Sequence, residues 1–259
     1  MKIEFYKYQG TGNDFVMIDN RNNVFDKNNL KAVQQLCDRH FGVGADGLIL
    51  IENIEDLDFN MIYFNADGTQ SFCGNGSRCT VAFAKYLGII EKQALFLSTD
   101  GEHEAWINDE GEVSLKMHDV ESIEKGKGYY FINTGSPHYI TQVEDLKKVD
   151  VKTKGAAIRY SERFKVEGTN VNFVKFGDSQ LDIRTYERGV EDETLSCGTG
   201  VTAAALSLAD HKSLSSGVIH IKAAGGNLKV GFKRNGNVFS DIWLIGPATF
   251  VYKGEFLID

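Results

Sequence analysis

Two stretches share one pattern and decide the fold: Cys73–Gly76 (CGNG), which precedes Ser77–Leu87, and Cys197–Gly200 (CGTG), which precedes Val201–Asp210. Both following segments carry few charges and many small or apolar residues. A helix that is apolar on nearly all sides is expected to be buried. The pattern therefore predicts two buried helices, each beginning beside a cysteine and two glycines.

The two cysteines lie 197 − 73 = 124 residues apart, close to half of the 259-residue chain. Each motif follows a strand candidate and a polar loop, Asn65–Phe72 in the first case and Glu187–Ser196 in the second. Coincidence can repeat a short pattern, but the shared strand–loop–helix context favours an internal duplication. We therefore expect an α/β (α+β) protein of two pseudo-symmetric domains, each a curved, mostly antiparallel sheet around a buried central helix.

The remaining chain alternates in hydrophobicity with a period of two, which is typical of strands. Hairpins are predicted around Asp109-Glu110-Gly111 and around Asn235-Gly236, since Asn and Gly tolerate positive φ. A further helix is predicted over Asn29–Phe41, with an apolar face and an end at Gly42. Its apolar face would comprise Leu30, Val33, Leu36, Cys37 and Phe41. The other strand candidates are Ile3–Gln9, Phe15–Asp19, Leu48–Glu52, Phe59–Asn65, Tyr129–Thr134, Asn170–Phe176, Leu181–Tyr186 and Val218–Lys222.

Composition narrows the class of protein. A hydrophobic content of 42% and a charged content of 25% are typical of soluble globular proteins. A formal charge of −8 argues against nonspecific nucleic-acid binding. The chain has no run of about 18 apolar residues, and its N-terminus lacks the apolar core of a signal peptide. Four widely spaced cysteines do not resemble a disulfide framework, so we expect a cytoplasmic protein with reactive thiols.

The paired motifs suit proton transfer at carbon. A helix N-terminus lowers the pKa of a cysteine thiol, because unpaired N–H groups and the helix dipole favour negative charge. Glycines let the backbone amides approach a bound carboxylate and stabilise the enolate-like transition state. One thiolate could remove an α-proton while a second thiol protonates the opposite face. Such inversion needs no cofactor and no metal.

Five ordered segments carry a resemblance to a known family: GTGNDF (Gly10–Phe15), FNADGTQSFCGNGSRC (Phe64–Cys79), NTGSPH (Asn133–His138), GTNVNF (Gly168–Phe173) and YERGVEDETLSCGTG (Tyr186–Gly200). Along almost its whole length the sequence resembles the diaminopimelate epimerase family. The resemblance implies two pseudo-symmetric domains and the interconversion of LL- and meso-diaminopimelate, on the way to lysine and peptidoglycan precursors. It is also compatible with a homodimer.

The resemblance implies a role for each matching residue. Cys73 and Cys197 would be the catalytic pair, with His138 and Glu187 as helpers that orient the thiols or take their protons. The backbone amides of Gly74, Asn75, Gly198 and Thr199 would hold the reacting carboxylate. Glu187 would also bind an ammonium group and Arg188 a carboxylate. Further hydrogen bonds would come from Asn13, Asn65, Ser136 and Asn170.

Three positions depart from the family pattern. Ser136 stands where the family usually has Asn, which changes the reach and number of donors. Gly47 stands where some members place a substrate-contacting Gln. The segment from Glu187 to Cys197 is one residue longer than the common form, and we expect the loop Val190–Glu193 to absorb the difference.

Alternatives remain open. Proline racemases share the duplicated fold and the paired cysteines, but they typically carry His where this chain has Asn75. A thiol redox protein could instead cycle a disulfide between Cys73 and Cys197. A dinucleotide site at Gly42–Gly47, which matches GxGxxG, is not expected, because a helix precedes the loop and a strand follows it. Cys37 and Cys79 are expected in the core.

The domain boundaries follow from the duplication and the resemblance. The first domain is expected over 1–118 and the second over 119–248, after a charged linker at Asp119–Gly128. The resemblance implies that the last segment, 249–259, crosses back to the first domain. It also implies an active site in a cleft that closes between the domains.

Overall fold

Strands dominate a computed structural model that describes residues 2–258. The helices are α1 (Leu30–Cys37), α2 (Gly74–Tyr86), α3 (Val151–Arg159) and α4 (Gly198–His211). The strands are β1 (Lys2–Gly10), β2 (Asn13–Asp19), β3 (Gly47–Glu52), β4 (Phe59–Asn65), β5 (Gln93–Ser98), β6 (Gly101–Ile107), β7 (Glu112–Lys116), β8 (Glu124–Gly126), β9 (Tyr129–Asn133), β10 (Pro137–Gln142), β11 (Asn170–Phe176), β12 (Gln180–Glu187), β13 (Asp192–Thr194), β14 (Ser216–Ala223), β15 (Gly226–Asn235), β16 (Val238–Pro247) and β17 (Thr249–Leu257).

The chain divides into two compact units, Met1–Leu115 together with Gly246–Asp259, and Lys116–Ile245. In the first unit the strand order is β17-β1-β2-β3-β4-β5-β6-β7, and only the pairs β2–β3 and β4–β5 are parallel. Parallel neighbours need a crossover, and α1 and α2 provide the two crossovers.

The second unit repeats this arrangement. Its order is β8-β9-β10-β11-β12-β14-β15-β16, with β13 added to the end of β12, and only β10–β11 and β12–β14 are parallel. The crossover helices here are α3 and α4. The units therefore match strand for strand and helix for helix, with β8 in the place of β17. This match confirms the predicted internal duplication.

A buried helix lies at the centre of each unit. Helix α2 packs against β1, β2, β3, β4 and β6, and α4 packs against β9, β10, β11, β12, β14 and β15. All of α4 is buried except Thr199 and His211. Each helix begins three residues earlier than the sequence predicts, because the glycine motif itself forms the first turn.

Helix α1 is shorter than predicted. It ends at Cys37, and the Asp38 carboxylate accepts hydrogen bonds from the backbone N–H groups of His40 (2.7 Å) and Phe41 (2.8 Å). Such a side chain-to-backbone turn competes with continued helix. The predicted apolar face was therefore wrong at its two ends, where Leu30 is 46% and Phe41 85% exposed. Cys37 and Cys79 are buried, as expected.

The segment predicted as a charged linker, Asp119–Gly128, contributes a bridge at Val120 and the short strand β8 to the second sheet. Val120 is buried and exchanges two backbone hydrogen bonds of 2.8 Å with Phe239. Strand β8 then pairs with β9. No helix among residues 2–258 is both long and apolar enough to cross a membrane.

Candidate active site

Cys73 caps the N-terminus of the buried helix α2. Its backbone is extended (φ −138°, ψ 106°), and its Sγ accepts a hydrogen bond from the Gly76 N–H at 3.4 Å. The thiol also donates to Asn13 Oδ1 at 3.5 Å. Gly74, Asn75 and Gly76 form the first helical turn, whose N–H groups have no intrahelical acceptor. We call this turn with its cysteine, Cys73–Gly76, the first cradle.

Asn13 is held from two sides. Its amide donates to Asp46 Oδ2 at 2.6 Å, so its Oδ1 faces the first cradle and accepts from Asn75 Nδ2 at 3.3 Å. Asp46 in turn is ion-paired with Arg39 at 2.7 Å. Asn65, at the end of β4, donates to Ser71 Oγ at 3.3 Å, two residues before Cys73. The structure therefore brings Asn13, Asn65 and Asn75 into the surroundings of this cysteine.

Cys197 occupies the equivalent position on α4. It caps the helix in an extended conformation (φ −123°, ψ 113°) and is buried, and its Sγ lies 3.5 Å from Thr199 Oγ1. Gly200 leaves room for the neighbouring side chains, since a Cβ here would lie 2.7 Å from Asn172 Oδ1 and 3.2 Å from the His138 ring and would force them to move. We call the turn Cys197–Gly200 the second cradle.

His138 reaches the second cradle from β10. Its Nε2 lies 2.8 Å from Thr199 Oγ1, and its Nδ1 lies 3.1 Å from Asn172 Nδ2. The Asn172 amide nitrogen also donates to the Tyr139 carbonyl at 3.2 Å, and its oxygen accepts from Thr185 Oγ1 at 3.0 Å. Because that nitrogen only donates, Nδ1 of His138 must be the acceptor, and the ring proton lies on Nε2.

The electrostatics agree with a neutral imidazole. The side chain of His138 is fully buried, and burial, reinforced by the positive charge of Arg188, lowers its pKa to about 3. Neutral His138 therefore donates from Nε2 to Thr199, whose hydroxyl proton is then available to the Cys197 sulfur. The order of the relay is Asn172, His138, Thr199, Cys197.

Glu187 ends strand β12, ten residues before Cys197. Its Oε2 accepts a hydrogen bond of 2.8 Å from Thr194 Oγ1. The short strand β13 pairs Asp192 with Glu187 across this end of the sheet. The intervening turn is held by Glu191, whose carboxylate accepts from Tyr186 Oη at 2.9 Å and from the Gly189 N–H at 3.2 Å.

A second polar cluster joins Ser136, Asn170 and Arg188. Ser136 Oγ accepts from Asn170 Nδ2 at 3.0 Å and from the Arg188 guanidinium at 3.4 Å. Asn170 Oδ1 accepts the Arg188 backbone N–H at 2.9 Å. The Arg188 guanidinium also donates to the Glu167 carbonyl at 2.8 Å and remains exposed. We call Ser136, Asn170 and Arg188 the distal cluster.

Comparison with known proteins assigns the chain to a family. The family model described as diaminopimelate epimerase matches residues 5–123 and 130–251. The chain belongs to the diaminopimelate epimerase family. A diaminopimelate epimerase of Flavobacterium psychrophilum is 51% identical over 253 residues, covering 97% of this chain and 99% of the relative. One of Chlorobaculum tepidum is 42% identical over 257 residues, covering 95% and 98%. Family membership makes the chain an isomerase.

Solved structures agree on the fold. A phenazine biosynthesis protein of the PhzF family from Bacillus anthracis superposes with a TM-score of 0.80 at 14% identity and covers 100% of both chains. A hydroxyproline epimerase from Agrobacterium vitis superposes with a TM-score of 0.72 at 13% identity, covering 98% of this chain and 91% of that one. At these identities the likeness concerns the architecture alone.

Two departures from the diaminopimelate epimerase pattern have a structural reason. Ser136 is built into the distal cluster as an acceptor, so a serine serves there as a scaffold for Asn170 and Arg188. Gly47 has no space for a side chain, since a Cβ would lie 2.4 Å from both the Phe64 carbonyl oxygen and the Tyr63 ring. The Gln found in some epimerases cannot fit at position 47 of this backbone.

Sequence reasoning missed three residues of this epimerase. Asp46 orients Asn13, Asn172 fixes the tautomer of His138, and Arg78 lies buried under the first cradle. Asn172 could have been found, because it lies two residues after Asn170 and alternate residues of a strand share a face. Within residues 2–258 no group of three or more His, Cys, Asp or Glu side chains is arranged to hold a metal ion.

Proposed function

We propose that the enzyme interconverts LL- and meso-diaminopimelate by a two-base mechanism with Cys73 and Cys197. The observation that carries this proposal is that both cysteines cap the N-terminus of a buried helix, each in one half of a duplicated fold. The substrate follows from the relatives, which are named diaminopimelate epimerases at up to 51% identity.

The reaction begins with the carboxylate beside the reacting carbon. The N–H groups at the start of α2 and α4 can donate to its oxygens, and the helix dipoles favour negative charge there. As the α-carbon loses its proton, the electron pair moves into the carboxylate to give an enediolate. The same donors stabilise this developing charge, so they lower the barrier and do not merely bind the substrate.

The two sulfurs exchange roles in each turnover. A thiolate takes the α-proton, so a C–H bond breaks and an S–H bond forms. The other thiol protonates the carbanion from the opposite face, which breaks its S–H bond and leaves it as the thiolate. The centre is inverted, and atoms and charge balance with no cofactor. In the second cradle, the Thr199 hydroxyl supports the thiolate form of Cys197 by donating to its sulfur.

His138 supports this exchange as a neutral donor. Its low pKa disfavours the imidazolium form, and its Nδ1 is already occupied by Asn172. We therefore assign His138 to orienting Thr199 rather than to storing the proton of Cys197. We assign Glu187 to recognition of the ammonium group of the substrate, since an ionised carboxylate attracts a positive charge and accepts hydrogen bonds through several lone pairs.

The distal cluster supports recognition of the second amino-acid end. Diaminopimelate carries a second carboxylate, and Arg188 presents an exposed guanidinium of the type that binds carboxylates in pairs of hydrogen bonds. Both acceptor positions of the Ser136 hydroxyl are used by Asn170 and Arg188, so its O–H can donate to a ligand. Proline has no second carboxylate, so this cluster favours diaminopimelate.

The remaining features of the proposal concern the setting of the reaction. We place the enzyme in the cytoplasm, where a reducing environment keeps both thiols reduced. We also propose a homodimer, since the outer strand β17 presents Phe250, Val251 and Tyr252 at 44%, 51% and 43% exposure. Light scattering at micromolar protein concentration distinguishes the dimer from a 28.8 kDa monomer.

The decisive experiment is proton NMR in D2O with reduced enzyme, and LL-diaminopimelate, L-proline and L-lysine are tested separately. We expect the α-proton signal of LL-diaminopimelate alone to disappear as the meso form appears. Cys73→Ala and Cys197→Ala should each reduce epimerisation by at least about 1000-fold. Near-normal turnover in either variant would remove the two-base mechanism, and exchange with proline alone would overturn the substrate.

A further inference from the structure

A buried arginine lies beneath the first cradle. Arg78 is 0% exposed and is the largest fully buried side chain in the described chain. Its Nη1 donates to Asn75 Oδ1 at 3.1 Å and its Nη2 to Thr11 Oγ1 at 3.2 Å, whereas its Nε has no hydrogen-bond partner. Among residues 2–258 no carboxylate lies within ion-pair distance of it. A buried cation without a counter-charge is costly, so its presence requires an explanation.

The ionisable groups that act on the charge of Arg78 are two thiols. Burial lowers the pKa of Arg78, and the charges of Cys79 and Cys73 act in the opposite direction. Cys79 does not supply the missing anion, since its complete burial raises the pKa of its thiol to about 12. Cys73 remains, at the mouth of the first cradle and only half-buried.

The second cradle is built differently. Thr202 lies five residues after Cys197, as Arg78 lies five residues after Cys73, and its hydroxyl donates to the Gly198 carbonyl at 3.0 Å. The second cradle has the Thr199 hydroxyl beside its sulfur, and the first has Asn75 at that place. Moreover, Asn13 Oδ1 accepts a hydrogen bond from the Cys73 S–H group, so this contact favours the thiol over the thiolate. A thiolate at Cys73 can accept the hydrogen bond that the Gly76 N–H already donates to this sulfur, and a positive charge nearby would stabilise it further.

We propose that Arg78 is a positioning residue whose buried guanidinium stabilises the thiolate of Cys73. The second cradle has no positive charge at the equivalent position, where Thr202 stands. Arg78 stabilises the thiolate through its positive charge and by orienting the Asn75 amide, whose Nδ2 is directed to Asn13. The inference rests on the proposed two-base function, in which each sulfur must exist in both forms for the reaction to run in both directions.

Packing makes the charge effective. A Cβ on Gly10 would lie 3.3 Å from Arg78 Nη2 and 3.1 Å from the Asn75 carbonyl oxygen, so Gly10 allows β1 to cover the guanidinium closely. Burial keeps water away, and in a region of low dielectric constant a charge acts strongly on its neighbours. A single positive charge can then lower the pKa of a nearby thiol by about 1–2 pH units.

The test measures the alkylation of Cys73 and Cys197 by iodoacetamide as a function of pH, with mass spectrometry to separate the two peptides. In Arg78→Gln, which keeps a hydrogen-bond donor but removes the charge, we expect the Cys73 midpoint to rise by about 1–2 pH units. In Arg78→Lys, which keeps the charge, the Cys73 midpoint should stay within about 0.5 pH units of the wild-type value. Cys197 provides the internal control, and its midpoint should remain unchanged in both variants.

Two outcomes overturn the inference. One is an unchanged Cys73 midpoint in folded Arg78→Gln; the other, which needs no variant, is a wild-type Cys73 midpoint at or above the ordinary thiol value of about 8.5. Epimerisation by the wild type and its loss in Cys73→Ala are measured in parallel. These two results judge the two-base mechanism itself, because neither depends on Arg78.

Discussion

Burial determines the protonation state of His138, and this has a consequence for stability. In the folded protein the pKa of His138 is about 3, below the ordinary histidine value of about 6.5. As the pH falls below 6.5, the unfolded chain binds a proton at this histidine and the folded chain does not. The free energy of unfolding therefore decreases as the pH falls from about 6.5 towards 3.

The size of this effect can be measured by urea unfolding. Between pH 7.0 and pH 5.5 the wild type should lose about 1 kcal/mol of stability through this single histidine. His138→Asn should remove that part of the pH dependence, whereas His40→Asn, which changes an exposed histidine, should retain it. Equal pH dependence in wild type and His138→Asn would show that position 138 is not held neutral.

Asn172 decides which nitrogen of His138 carries the proton. Asn172→Asp replaces the amide donor by a carboxylate of the same shape, which can only accept a hydrogen bond when ionised. We expect the ring proton to move to Nδ1, so that Nε2 no longer donates to Thr199. Turnover should decrease roughly 10- to 100-fold while substrate KM changes little.

The measurement for Asn172 combines kinetics with 15N NMR of the histidine ring. The wild type should show a protonated Nε2, and Asn172→Asp a protonated Nδ1. Thr141→Ser is the matched control, because Thr141 lies on β10 three residues after His138 and its hydroxyl donates to the Gly128 carbonyl and not to the relay. An unchanged tautomer in the variant would contradict the relay even if activity decreased.

At the scale of secondary-structure elements, the sequence correctly predicted the hairpins and buried helices, because turn residues and local composition determine them. The hairpin at Asn235-Gly236 is present between β15 and β16, and the one at Asp109-Glu110-Gly111 between β6 and β7. Both turns have Gly at positive φ, with values of 61° and 82°. The buried helices were predicted because their composition is apolar on all sides.

Other elements depend on packing that no local pattern reveals. Helix α3 was missed because only Val151 and Gly155 of its nine residues are buried, which leaves almost no apolar periodicity. The duplication would have revealed it, since α3 occupies the position of α1 between two parallel strands. At the site, the cysteine motifs stand out in sequence, whereas Asp46 reaches Asn13 from 33 residues away and the burial of Arg78 depends on how closely β1 covers it.

Gly155 tests whether packing or propensity dominates in α3. Ala is favoured over Gly in a helix by about 1 kcal/mol, so propensity alone predicts that Gly155→Ala stabilises the protein. However, a Cβ at this position would lie 2.4 Å from the Cβ of Tyr186 on β12. We expect the clash to dominate and the variant to lose about 1–3 kcal/mol.

Urea denaturation of Gly155→Ala, with Lys154→Ala as the exposed control on the same helix, separates the two effects. The control should change stability by less than about 0.5 kcal/mol. A net gain of stability in Gly155→Ala would mean that α3 does not lie against β12 as closely as the structure has it.

At the scale of the whole molecule, the two ends of the chain form one edge of the first sheet. Strand β17 pairs with β1 from Lys2↔Leu257 to Gln9↔Thr249, and it takes the place that β8 has in the second unit. In the second unit, the edge position is filled by β8, which comes directly before β9 in the chain. In the first unit, the same position is filled by β17, which follows all the other strands in sequence. The boundaries 1–118, 119–248 and 249–259 stay a prediction about which parts fold together.

Removal of residues 249–259 tests that division. Because β1 would lose its antiparallel partner, we expect hydrogen exchange in β1 and β2 to accelerate at least about tenfold, while β11, β12 and β14 keep their protection. Gly254→Val is a milder version, since a Cβ there would lie 2.8 Å from the Phe5 ring. If protection is lost equally in both sets of strands, the chain unfolds as a single cooperative unit and the division is wrong. Loss confined to β1 and its neighbours would mean that the last strand stabilises one half of the duplication alone.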